Sequence, residues 1–368
     1  MIPVARRMIW SEKSRFFITA GGVGLTVMLM LFLLGIYEGV KRGAVGYVQG
    51  STADIWVCGA NSTNILRSSS FLPASLAPIL RQTPGVRSVS GILRVLTTTK
   101  IKGKPVTLFV LGFEPEQALA APARMIAGSP RIGTGEIIVD KAFAGKHRLT
   151  LGDRVEIQGR RFSVGGICEG TNAIVTQFVF APLDDARALI GFPGSVSFFL
   201  ISLEPETDLK PALDRLKKVH PRLAFFGKAE FMNNNLDEMK TGILPIFWMI
   251  AMLGGVIGAA IIALMLYGTV LERRPDYALL KAVGAGQGFL WFLVLKQSWL
   301  GSLAGFSVGL LLEILLAPVL TGLMPELSLT LRPGSILAVG TAEVLIGTAG
   351  AWVPVRKLAR ILPLEAFR

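Results

Sequence analysis

Hydrophobic residues gather along this chain into four long runs separated by stretches of mixed polarity. The first runs from Phe16 to about Tyr37 (FFITAGGVGLTVMLMLFLLGIY) and the second from Ile243 to about Val270. The third covers about Phe289 to Pro318, and the fourth about Pro333 to Val353. A bilayer core needs about 20 apolar residues in helical form, so each run predicts a membrane-spanning helix. The chain then divides into a basic segment 1–15, a first span 16–38, a domain 39–242 and a second span 243–270. A loop 271–288, a third span 289–318, a short loop 319–332, a fourth span 333–354 and a tail 355–368 follow. The expected fold is an α-helical membrane protein, one helix plus three, with a large domain between helices 1 and 2.

Within that domain the period changes. Short apolar or alternating runs predict strands over Asp54–Cys58, Val86–Ile101, Pro105–Phe113, Glu136–Val139, Ile174–Ala181, Ser197–Leu203 and Leu223–Phe226. Arg154–Ile157 and Arg161–Ile167, joined across Gly159, predict a hairpin. Helices are expected from near Pro73, Pro182, Asp208 and Lys228, the prolines suiting a first turn and Asp208 an N-cap. The alternation predicts a mixed α/β domain of two small lobes, one inserted in the other.

Composition fits an average over lipid and water. The 368 residues are 51% hydrophobic and 17% charged, with mean hydropathy +0.56, where a soluble domain carries about 25% charge. The net charge of +13 would suggest nucleic acid on a soluble protein, but its position decides otherwise. Arg6, Arg7, Lys13 and Arg15 precede the first span, Arg273, Arg274 and Lys281 lie between the second and third, and Arg356, Lys357, Arg360 and Arg368 follow the fourth. The loop between the third and fourth spans offers only Arg332. By the positive-inside rule both termini and the second-to-third loop are expected in the cytoplasm, and the large domain outside. The first span is longer than a signal-peptide core and no small-x-small site follows promptly, so it is expected to remain as an anchor. From Glu38 to Lys240 there are 25 basic and 18 acidic residues, a net of +7, so about half the excess belongs to the membrane part and its edges. Nucleic acid is not an expected partner.

Few residues carry candidate chemistry. The loop LERRPDYALLKAVGAGQGFL (Leu271–Leu290) has Tyr277, Leu280 and Val283 at amphipathic spacing after Pro275. It reads either as a plain basic turn or as a short surface helix that slots into a partner's groove. Lys296 and Glu343 lie within spans three and four at depths that differ by about 5 Å at ~1.5 Å per residue, so an intramembrane ion pair is expected, a proton relay being the alternative. Glu313, near the outer end of span three, is expected to be solvated. Glycines at four-residue spacing (Gly35/Gly39, Gly254/Gly258 and Gly301/Gly305/Gly309) predict close helix packing, within one subunit or at a dimer seam. Cys58 and Cys168 both fall in the outer domain, where a disulfide can persist; two buried thiols are the simpler expectation. His147 and His220 stand apart from other ligand types, so no metal site is expected, and no nucleophile elbow is present. Lys100/Lys102/Lys104 and Lys217/Lys218 are most simply solvated, the alternative being anionic lipid or an acidic partner surface. No G-x-x-x-x-G-K-[ST] motif occurs, so no nucleotide or other cofactor is expected in this chain.

The Leu271–Leu290 loop resembles the E-R-x-x-E/D-x-A-x-L-K-A-x-G-A signature of FtsX/MacB-type ABC transporter permeases, with Pro275-Asp276 as a small departure. The tail VPVRKLARILPLEAFR resembles the ending of the same family, and LTLGDRVEIQGRRFSVGGI resembles a hairpin of its MacB-like outer domain. More narrowly, IPVARRMIWSEKSRF, PGVRSVSGI, LFVLGFEPE and RRPDYALLKAVG resemble the DevC-type permease. The resemblance covers essentially the whole chain. It implies a multi-pass protein of the bacterial inner membrane, a homodimer, whose coupling segment docks on a separate dimeric ABC ATPase that binds ATP and Mg. The coupling residues it implies are Glu272, Arg273, Arg274, Asp276, Tyr277, Leu280, Lys281, Gly284 and Ala285. It further implies mechanotransmission to the periplasmic domain and export of a lipid-like substrate with a HlyD-type adaptor and an outer-membrane channel. An FtsX-like regulator of an external hydrolase, and a lipoprotein-extracting or small-molecule efflux permease, are the alternatives.

Overall fold

The computed structural model describes residues 13–359 except 69, 118, 173–176, 243 and 328. Arg6 and Arg7, the first residue of the second run, the start of the strand expected from Ile174, and the tail from Arg360 onward lie outside them. The chain forms two compact units. One gathers the residues through Glu38 with Pro245–Leu320 and the residues from Leu329; the other is Gly39–Leu244 with Thr321–Ser328.

Helix α1 (Lys13–Gly50) contains no proline and continues past the apolar run. Its last turns carry Ala44, Tyr47 and Val48 at helical spacing, all buried in the core of the second unit. The Tyr47 hydroxyl donates to Ala120 O at 2.9 Å, and its ring lies against Trp56, Phe178 and Phe180.

The second unit holds β1 (Ile55–Gly59), β2 (Leu72–Pro73), α2 (Leu76–Arg81), β3 (Val86–Ile101), β4 (Lys104–Phe113), β5 (Met125–Gly128) and β6 (Glu136–Asp140). Next come α3 (Lys141–His147), β7 (Arg154–Ile157), β8 (Arg160–Cys168), β9 (Phe178–Pro182) and α4 (Leu183–Ile190). It closes with β10 (Ser195–Val196), β11 (Phe198–Leu203), α5 (Leu209–Val219), β12 (Leu223–Gly227) and α6 (Lys228–Thr241). The strand order is β12-β1-β11-β3-β4-β9-β6-β8-β5, with β7 on β8. The long β3 belongs to both lobes. Its first half pairs with β11 from Val86 to Ile92, and its second half pairs with β4 from Leu93 to Ile101. The lobe holding β4 to β9 is thus inserted in the lobe holding β1, β11 and β12. At the β7–β8 turn Gln158 (φ 48°) and Gly159 (φ 77°) are both left-handed, the combination a two-residue hairpin needs.

Pro73 does not begin a helix. It lies in β2, opposite Ser195, and α2 starts three residues later. Pro182 ends β9 and caps α4, and Asp208 stands at the N-cap position of α5, whose first residue is Leu209.

The remaining helices are α7 (Leu244–Glu272), α8 (Arg274–Ala282), α9 (Gln287–Leu323), α10 (Pro333–Gly350) and α11 (Trp352–Ala359). Among the described residues, four helical stretches are long and apolar enough to cross a membrane: Phe16–Gly50, Leu244–Glu272, Gln287–Leu323 and Pro333–Arg356. Their shared core joins Val23, Val27 and Leu31 to Ile262, Leu266, Leu293 and Val339. Leu264, Leu337 and Leu345 are each at least 70% exposed, and helices apolar on every side are built for a lipid surround.

Candidate functional site

The α8 segment is a complete small helix with both ends defined. Pro275 stands in its first turn, where the missing N–H is not needed, and Arg273 contacts Asp276 at 3.5 Å. At its other end Gly284 (φ 94°) donates to Lys281 O and Ala285 N donates to Leu280 O at 2.9 Å, closing a Schellman motif. Gly284 and Ala285 therefore stop the helix, which explains the glycine chemically.

The helix has two faces. Tyr277 and Ala278 are fully buried in the same core as Val270, Leu290 and Ala351, with Leu280 and Ala285 packed against it. Asp276, Leu279, Ala282 and Val283 face outward, Val283 at 82% exposure. Tyr277 thus enters the bundle while Val283 is exposed, so the amphipathic spacing of Tyr277, Leu280 and Val283 does not give them a common environment. The physical reason is that the aromatic side chain gains most by entering the chain's own bundle. Leu279, absent from the expected set, belongs to the outward face. Glu272 is exposed, while Arg273, Arg274 and Lys281 are half-buried.

The expected Lys296–Glu343 ion pair does not form. Glu343 is 1% exposed, and neither carboxyl oxygen meets a hydrogen-bond partner among the described residues; its Oε2 lies beside Gly258. Lys296 sits on the exposed stripe of α9 with its ammonium 4.5 Å from the Phe292 ring centroid. Similar depth on two helices does not imply a shared face, because each residue also turns about 100° around the axis. Glu313 is likewise 1% exposed, against the expectation of solvation.

In the Gly301/Gly305/Gly309 series of α9, two glycines pack against α1. A Cβ at Gly305 would lie 2.3 Å from Val23 Cγ1, and one at Gly309 would lie 2.6 Å from Gly24 O. At Gly301 a Cβ would meet nothing within 4 Å. The close contacts are therefore within one chain.

Cys58 and Cys168 are buried free thiols, so no disulfide joins them. Cys58 Sγ donates to Ser62 O at 2.9 Å, and Cys168 Sγ lies 3.6 Å from Thr171 Oγ1. Burial pushes both thiols up to about 12.

Two polar residues that sequence patterning passed over organise the second unit. Arg94 donates Nη1 to Ile65 O and Leu66 O at 2.7 Å and Nη2 to Ser68 O at 2.9 Å, fixing that loop while its guanidinium lies over Phe109. Burial draws its pKa downward. A cavity of about 490 Å³ opens beside it, lined by Phe71, Leu96, Phe109 and Ile190. Asp140 caps α3 by accepting from Ala142 N, and it accepts from Thr171 N and Oγ1 at 3.0 and 2.8 Å. Each sits inside or beside a strand's apolar run, where a charged residue is the only visible signal.

Residues 16–219 match the family model described as MacB-like periplasmic core domain, and residues 248–363 match FtsX-like permease C-terminal. An uncharacterized ABC transporter permease of Methanocaldococcus jannaschii is 28% identical over 234 residues, which cover 60% of this chain and 58% of that protein. Another, from Mycobacterium tuberculosis, is 24% identical over 372 residues, covering 98% of this chain and 97% of the relative. A probable export ATP-binding/permease protein of Pseudomonas fluorescens is 23% identical over 391 residues, 97% of this chain and 58% of that longer protein.

Proposed function

We propose a function on the premise that this chain belongs to the FtsX/MacB-type family of ABC transporter permeases. It is the transmembrane subunit of an exporter in the bacterial inner membrane, and it acts with a separate ATPase. The chain is a transport subunit; ATP and Mg are held by that partner, which fits the lack of a phosphate-cradling motif here. The Pseudomonas relative, named for ATP binding and permease activity together, supports the pairing.

The observation that carries the reading is the two-faced α8. Its outward residues Asp276, Leu279 and Val283 offer a small apolar surface with an acidic edge to a cytoplasmic ATPase dimer. Its inward Tyr277 ties the helix to the core that also contains Val270 of α7 and Leu290 of α9. A push on α8 therefore moves the ends of two spanning helices. The continuous α1, with Tyr47 in the outer domain's core, gives the same chain a route for movement toward that domain. The substrate class is lipid-like or amphiphilic, handled by a homodimer with a HlyD-type adaptor and an outer-membrane channel, as in the DevC-type permeases the sequence resembles.

The test is affinity purification of the full chain from native membranes. An ABC ATPase is expected to co-purify with wild type and with Tyr277→Phe, and to be lost by at least about tenfold with Leu279→Asp/Val283→Asp, because a buried carboxylate without a partner is strongly unfavourable. Retention of the ATPase by the double variant would rule out this docking face. Recovery of an adaptor supports export, whereas a co-purifying hydrolase assigns the regulatory role instead.

A further inference from the structure

The end of the inserted lobe where α3 meets the β3–β4 turn is strongly basic. Lys102, Lys104, Arg148 and Arg154 are all exposed there. Lys102 Nζ donates to Arg148 O at 3.0 Å, so the β3–β4 turn and the end of α3 are held together. Lys102 and Lys104 also lie close enough to Lys146 and His147 that, after burial and Lys146, their charge helps to hold the imidazole below its ordinary pKa. The acids nearby are occupied: Asp153 accepts from Thr150 N and Oγ1, and Glu326 pairs with Lys146 at 2.5 Å.

Two of these cations occupy unusual backbone positions. Lys102 and Arg148 both have φ of 51°, the left-handed region that glycine or asparagine fills more easily. Long basic side chains are thus present where the backbone alone would favour other residues.

The position of Glu326 identifies what the patch meets. It lies in the connection between α9, which ends at Leu323, and α10, which begins at Pro333. Val319, Leu323 and Met324 are exposed apolar residues, as a lipid boundary requires, and Glu326 is three residues beyond Leu323, a reach of about 10 Å. Within the second unit Pro325 stands against Gly145, at 3.5 Å from a Cβ placed there, and Asn172 Nδ2 donates to Glu326 O at 3.1 Å. The end of α3 is therefore held against the connection that follows α9.

We propose that Lys102, Lys104, Arg148 and Arg154 bind the phosphate head groups of anionic phospholipids in the outer leaflet of the bilayer the chain spans. The proposal rests on α9 and α10 crossing that bilayer and is independent of the exported substrate. An acidic protein surface is the competing occupant, but the adjacent spanning-helix connection favours lipid.

The full chain is reconstituted into nanodiscs of phosphatidylcholine alone or with added phosphatidylglycerol, and amide hydrogen exchange is followed over residues 100–106 and 145–155. With phosphatidylglycerol these amides are expected to exchange at least about threefold more slowly. High salt, where the screening length falls to about 3 Å, should erase the difference. So should Lys102→Gln/Lys104→Gln/Arg148→Gln, while Lys104→Arg keeps it. Exchange in α5 and β12 of each variant should match wild type, which separates loss of lipid binding from loss of fold. Equal exchange in the two disc types overturns the proposal, as does a lipid effect that survives in the triple variant. Slowing that requires an added acidic adaptor protein assigns the patch to that partner and overturns it as well. Failure of the chain to insert into discs would overturn the membrane premise separately.

Discussion

Cys58 and Cys168 show how burial decides chemistry that residue type leaves open. An outer-domain thiol pair invites a disulfide, yet each is enclosed in the hydrophobic core and held neutral by the cost of placing a thiolate there. The sign of the resulting pH effect follows directly. Both folded-state values are raised to about 12, whereas an unfolded thiol ionises near about 8.5. Below that value both states are protonated and nothing changes; as pH rises above it the unfolded state releases protons that the folded state retains, so stability falls. Thermal melts of the full chain in detergent should therefore lose stability above pH about 8.5 through these thiols. Cys58→Ala/Cys168→Ala should weaken that slope. The native thiols should also resist maleimide until the domain is unfolded; rapid labelling of the folded chain would contradict their enclosure.

At the scale of elements, legibility followed how local each determinant was. The 16-residue β3 and the β7–β8 hairpin were readable because alternation and turn glycine lie within the strands themselves. Others were not, and three of them show why. Pro73 belongs to a two-residue strand fixed only by its distant partner at Ser195, β5 is a four-residue edge strand held by β8, and α3 spans seven residues including Gly145. The coupling segment divided in the same way. Gly284 ends α8 by its own backbone conformation, but which side of α8 enters the bundle depends on α7 and α9, so the burial of Tyr277 is not readable from spacing alone. Depth placed Lys296 and Glu343 together while helix rotation separated them. The glycine series on α9 tests the same point. Gly309 faces the backbone of α1, which cannot move like a side chain, so Gly309→Val should lower stability by about 1–3 kcal/mol or more. Gly301→Ala meets open space and should change it by less than about 0.5 kcal/mol. Equal effects in a detergent melting assay would place the helix contact elsewhere.

For the whole molecule, the distribution of charge separates two roles that a single net value conceals. The excess in the large domain does not determine orientation, because long domains cross regardless of their charge. The excess beside the short loops does: the second-to-third loop carries Arg273 at the N-cap of α8 and Arg274 and Lys281 within it, whereas the α9–α10 connection carries only Arg332. On the proposed reading, this asymmetry puts the outward face of α8 on the cytoplasmic side. The enclosed native cysteines make the orientation measurable without removing them, since introduced thiols alone should react. Lys218→Cys on the exposed face of α5 and Val283→Cys at the end of α8 are suitable reporters. In spheroplasts a membrane-impermeant maleimide should label Lys218→Cys and leave Val283→Cys untouched; after permeabilisation both should react. Labelling of Val283→Cys from outside would invert the topology and place α8 beyond the reach of any cytoplasmic ATPase.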